Sequence, residues 1–156
     1  MDIKSLFLSC FICLTQIILS QIEFNQNNII SVIKNNTELN NAWAGGMNFC
    51  QFSKIDLNLD GYDDLFIFDK SGKNGTVNGN RIIPFLFENS SETYKYSPEY
   101  ITAFPTLENW VLLVDYNQDS KADIFTSFES SIAVYTNTSE NNLSFEFYKI
   151  LNSDAG

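Results

Sequence analysis

From Gly45 onward the apolar residues fall into short runs rich in Phe, Ile, Val and Tyr, each closed off by a cluster of Gly, Asn, Ser or Asp. β-Branched and aromatic side chains suit the half-buried surface of a pleated strand, and such clusters supply the turns between strands. The pattern predicts two groups of four strands. The first lies near Asn48–Ile55, Leu65–Asp69, Arg81–Glu88 and Thr93–Tyr96. The second lies near Trp110–Val114, Ile124–Phe128, Ile132–Asn137 and Ser144–Ile150. SGKNGTVNGN, residues 71–80, reads as a turn or loop. No segment sustains a helical period over about ten residues, so the fold class is all-β. Upstream, an Asn-rich stretch carries one apolar cluster, Ile29–Ile33, whose β-branching favours a further strand.

The two groups repeat. KIDLNLDGYDDLFIF at Lys54–Phe68 aligns with LVDYNQDSKADIFTS at Leu113–Ser127 at a constant offset of 59 residues. Asp56 then matches Asp115, Asn58 matches Asn117, Asp60 matches Asp119 and Asp64 matches Asp123. A four-stranded unit recurring at that period is the signature of radial, propeller-like architecture. The resulting division is an N-terminal segment over 21–44, a first blade over 45–105 and a second over 106–152, each blade a four-stranded antiparallel unit.

The acidic loops carry the chemistry. In D-x-N-x-D-G-x-x-D, oxygen side chains at positions 1, 3 and 5 turn inward, position 7 offers its backbone carbonyl and position 9 closes the cage. Three carboxylates about 5 Å apart repel by several kcal/mol at an effective dielectric near 20, and a divalent cation reverses that sign. Calcium takes six to eight oxygens at about 2.3–2.6 Å in a tolerant geometry, magnesium demands a stricter octahedron, and an all-oxygen set disfavours soft metals. The candidate calcium ligands are therefore Asp56, Asn58, Asp60, the Tyr62 carbonyl and Asp64 in the first loop. In the second they are Asp115, Asn117, Asp119, the Lys121 carbonyl and Asp123. Gly61 stands where the chain bends sharply, whereas Ser120 replaces it in the second loop, and Lys121 must swing its head away, so the second site is expected to be weaker. Asp63 is expected to face outward. An EF-hand is excluded because its twelfth position, counted from Asp56, is Ile67. A dockerin-like loop fails for the same reason and for want of a following helix.

Composition narrows the function. The 156 residues are 44% hydrophobic and carry 9 Lys+Arg against 19 Asp+Glu, a formal charge of -10. That argues against nucleic acid or an anionic membrane surface as partner. There is no histidine, so neither a Ser-His-Asp nor a Cys-His unit can be built from this chain. MDIKSLFLSCFICLTQIILS, residues 1–20, reads as a secretory signal peptide with Lys4 in its charged region and Ser20 before the cleavage point; a signal anchor is the alternative. No membrane span is then expected in the mature chain. Cleavage removes Cys10 and Cys13 and leaves Cys50, read as a small buried hydrophobe. Trp43 and Trp110 are read as core or inter-blade packing, and Tyr94, Tyr96 and Tyr100 as one half-exposed strand face. Asn35, Asn74, Asn89, Asn137 and Asn142 match N-x-[ST], which in so Asn-rich a chain is read as incidental.

DLNLDGYDDLFIF resembles the calcium loop and second strand of FG-GAP/VCBS repeats, the blades of integrin-α-type β-propellers, and VDYNQDSKADIF resembles a diverged second copy. The lead-in, NNAWAGGMNFCQFSK, is similar to the opening of large secreted bacterial proteins of this group. The resemblance covers roughly residues 40 to 150, without the FG-GAP dipeptides themselves. It implies a propeller of several blades with calcium at the blade loops, and a non-catalytic role in adhesion or recognition. The expected protein is secreted or held at the cell surface, with an extracellular protein or polysaccharide as partner. Two units do not close a ring and the chain ends at ILNSDAG, so an N-terminal part of a larger propeller is expected. The alternative is the propeller portion of a secreted polysaccharide-acting enzyme.

Overall fold

A computed structural model describes residues 30–71 and 81–151. The expected signal peptide over 1–20, Cys10, Cys13, Ile29, Asn74 and all but the first residue of the 71–80 segment lie outside the described residues. From Ile33 onward the chain forms one compact unit. It opens with a small hairpin, β1 (Ile33–Lys34) paired with β2 (Thr37–Glu38). Asn35 and Asn36 turn it with φ of 51° and 62°, left-handed values that asparagine tolerates and a two-residue hairpin requires. Ile33 is thus the only described member of the expected Ile29–Ile33 strand to enter a sheet.

Two four-stranded antiparallel meanders follow. The first runs β3 (Cys50–Ile55), β4 (Asp64–Asp69), β5 (Arg81–Glu88), β6 (Thr93–Tyr96), each strand paired with the next. The second runs β7 (Val111–Val114), β8 (Asp123–Phe128), β9 (Ser131–Asn137), β10 (Phe145–Leu151), in the same sequential order. β10 carries a bulge between Phe147 and Lys149. A short 3-10 helix, Pro98–Ala103, joins the sheets, so Tyr100 lies on that helix and not on a strand face with Tyr94 and Tyr96. The fold is all-β in two four-stranded units, and no closed sheet is formed among the described residues.

Alternation along β4 divides the core. Phe66 and Phe68 face the second sheet and are buried with Ile55 and Leu57 against Val111, Leu113 and Ile124. Phe104 and Leu107, from the connection, fill the space between. The Phe104 ring lies 4.8 Å from Phe66 and 5.2 Å from Phe145, distances at which aromatic pairs add to area burial. On the opposite face of the first sheet, Ile67, Ile83 and Phe85 pack beneath Ala44. Asn41 ties that lead-in to the edge strand: its amide donates to the Tyr94 carbonyl at 2.8 Å and its oxygen accepts from the Tyr96 N–H at 2.7 Å. Of the two tryptophans, Trp43 departs from expectation. Trp43 is exposed and Trp110 half-buried. Cys50 is half-buried at the head of β3.

Candidate metal centre

Both acidic loops lie between the first and second strands of their sheets, where β3 runs into β4 and β7 into β8. Each is folded by its own oxygens. In the first, Asp56 accepts from the amides of Asp60 (3.1 Å) and Gly61 (2.8 Å), Asn58 Oδ1 from Asp60 N–H (3.2 Å), and Asp60 from Tyr62 N–H (2.9 Å). The second repeats each of these bonds and adds one, from the Gln118 amide to Asp115 at 2.7 Å. Asp115 accepts from Asp119 (3.2 Å) and Ser120 (2.9 Å), Asn117 Oδ1 from Asp119 (3.0 Å), and Asp119 from Lys121 (2.9 Å). In both, the asparagine amide donates to the third ligand candidate, Asn58 to Asp60 at 2.9 Å and Asn117 to Asp119 at 3.1 Å.

The backbone repeats as well. Leu59 and Gly61 have φ of 61° and 86°, and their counterparts Gln118 and Ser120 have 65° and 68°. Left-handed conformation costs a non-glycine residue roughly 1 kcal/mol, so each loop holds strain that its hydrogen bonds must outweigh. Ser120 therefore does not prevent the second loop from adopting the bend made by Gly61. Lys121 resolves its own difficulty by donating its ammonium to the Ser139 carbonyl.

Position 9 has a task the spacing did not reveal. Asp64 is buried, and its two oxygens accept from Leu57 N–H at 2.8 Å and Phe87 N–H at 2.7 Å. Asp123 is buried likewise, accepting from Tyr116 N–H at 3.0 Å and Asn137 N–H at 2.7 Å. Each carboxylate pins the loop to the end of the third strand. Burial raises the Asp64 pKa; the Phe87 and Leu57 amides oppose this, and the negative charges of Asp60 and Asp56 add to it. The remaining expected residues sit on the loop surface. Asp60 is exposed and Asp56 half-buried, while Asp63 faces outward in a 2.9 Å ion pair with Lys54.

The donor set fits a hard cation in kind, since each loop brings two carboxylates, an amide oxygen and a buried third carboxylate into one nine-residue turn. In the conformation described these oxygens are taken up by loop amides, and among the described residues no three acidic, histidine or cysteine side chains converge as a cluster. Beside the first loop, Glu99 and Tyr100 of the 3-10 helix line a cleft of about 220 Å³ with Asn58. Burial raises the Tyr100 pKa, and the charges of Glu99, Asp64, Asp60 and Asp56 push it the same way. No local pattern announces these two residues, because they reach the loop from a different element. Beside the second loop, Tyr116, Asn117, Asp119, Lys121 and Tyr148 line an open groove of about 490 Å³.

Sequence order elsewhere on the sheet explains one more anchor. Asp69, at the end of β4, is buried and accepts from the amides of Asn48 and Phe49 (both 3.2 Å) and from the Ser71 amide and hydroxyl (2.9 and 2.8 Å). Burial alone would raise its pKa, but the Ser71, Asn48 and Phe49 bonds outweigh it and bring the value down to about 2.

No family model matches the chain, and no curated protein or solved structure matches it.

Proposed function

We propose that this chain is an exported calcium-binding repeat protein of the propeller-blade type, serving adhesion or recognition outside the cell and not catalysis. The observation that carries the reading is the duplicated loop: two segments offset by 59 residues share their oxygen donors, their hydrogen-bond pattern and their two left-handed positions. Two loops of unrelated sequence history have no reason to keep strain at matching positions, whereas a cation-holding turn does. Calcium, when bound, supplies positive charge that offsets the crowded carboxylates. Asp56, Asn58, Asp60 and Asp64, with the Tyr62 carbonyl, would hold it in the first loop. Asp115, Asn117, Asp119 and Asp123, with the Lys121 carbonyl, would hold it in the second. Fixing these turns fixes where each sheet's first strand hands over to its second. The groove beside the second loop, with the Tyr116 and Tyr148 rings among polar groups, is a suitable surface for an extracellular protein or polysaccharide.

The test is calorimetric titration of calcium, backed by terbium luminescence displaced by calcium. The expected stoichiometry is two ions per chain, falling to one in Asp60→Ala and to one, at the tighter site, in Asp119→Ala. A stoichiometry unaffected by both substitutions would refute the ligand assignment.

A further inference from the structure

The contact between the two sheets is head to tail, and each end of the pair displays one half of that same contact. On the receiving side, Ile55 and Leu57 of the first unit are 3% and 0% exposed beneath the second. Their counterparts at the 59-residue offset, Val114 and Tyr116, are 42% and 43% exposed. On the inserting side, Val111 of the second unit is 4% exposed, and its N–H donates to the Gln51 side chain across the junction at 3.1 Å. Its counterpart, Phe52, is 63% exposed. The lead-ins correspond too, with Ala44 aligned to Ala103 of the segment wedged between the sheets. Leu112 and Tyr148 extend the open receiving surface. Over it lies the Lys149 ammonium, 5.0 Å from the centroids of both the Tyr116 and Tyr148 rings.

We propose that a second copy of this chain docks on the open face of the second sheet, presenting its Phe52 side to the Val114–Tyr116 side of the first copy. The contact continues the one already formed inside the chain, and being heterologous it propagates to a ring or an open stack instead of stopping at a symmetric dimer. It does not depend on calcium occupancy. It is weaker than the internal contact for an identifiable reason. The exposed Lys54–Asp63 ion pair stands where the second unit has Leu113 and Ala122, so docking must desolvate charges that the internal junction lacks.

Sedimentation velocity of the full chain from low-micromolar to near-millimolar concentration tests this. The wild type is expected to show concentration-dependent species larger than a monomer. Phe52→Lys and Val114→Lys, both at exposed positions where the fold tolerates the change, should each be monomeric alone with unaltered circular dichroism. Mixed together they should form a two-chain species and nothing larger, because each retains the half that the other lacks. A wild type that stays monomeric throughout the range overturns the proposal. So does self-association of Phe52→Lys equal to wild type, which would mean that two open faces pack on each other, and so does a mixture that remains monomeric.

Discussion

Asp64→Asn separates the two tasks assigned to position 9. The carboxylate takes the Leu57 amide at 2.8 Å on one oxygen and the Phe87 amide at 2.7 Å on the other, inside the protein. An asparagine side chain keeps one acceptor and turns an NH2 group toward the second backbone N–H. One charge-assisted bond, about 1.5–3 kcal/mol, is lost, and a buried donor is left unpaired. Against this, the substitution removes a charge that burial disfavours, the same burial that raises the Asp64 pKa. The balance is a loss of about 2 kcal/mol, or a fall in Tm of roughly 6–10 °C for a unit of this size. The assay is urea or thermal unfolding with a chelator present, so that no metal contributes. Asp60→Asn, at an exposed position, is the control and should lie within about 0.5 kcal/mol of wild type under those conditions. With calcium added, both variants should lose the metal-dependent part of their stability. If Asp64→Asn matched wild type in chelator and differed only with calcium, the residue would be a ligand alone and the pinning role would be wrong.

Ser120→Gly should stabilise the metal-free protein by about 0.5–1 kcal/mol by relieving a left-handed φ of 68°, and Gly61→Ala should cost about 1 kcal/mol. The alanine Cβ meets nothing within 4 Å, so that cost is backbone alone; equilibrium unfolding measures both. Asp69, lowered from 3.8 to about 2, contributes stability that is fully present above its unfolded pKa. That contribution, about 2 kcal/mol, is lost as pH falls from about 4 to 2. Asp69→Asn should therefore be less stable at neutral pH and lack that part of the acid-side decline, as pH-dependent unfolding curves would show.

The strands were legible because apolar runs and turn residues alternate cleanly. Arg81–Glu88 and Thr93–Tyr96 have the bounds their sequence predicts. β3 starts at Cys50 and not Asn48 because Asp69 takes the Asn48 and Phe49 amides that a longer strand would offer to its neighbour. The 3-10 helix was invisible to a period search, since six residues are too few to establish one. In the loops, spacing exposed the donors but not the burial of Asp64 and Asp123. That depends on amides 23 and 14 residues downstream, a separation that differs between the copies and leaves no fixed motif. Trp43 was misread for a general reason: aromatic bulk favours burial on average, yet which face of a lead-in is covered depends on what packs over it.

The unequal reach of those two carboxylates has a practical side. Asp64 and Asp123 grip equivalent amides although the first must span a connection nine residues longer, 23 against 14. The grip of each carboxylate on its amide is thus independent of the number of residues in the connection from the second strand to the third. Because closure entropy grows only by about 0.6 kcal/mol for each doubling of length, foreign sequence spliced into the connection between β4 and β5 should leave the rest of the sheet undisturbed. It is the natural place to graft an epitope or affinity peptide, whereas the nine-residue turn opposite has no slack to lend.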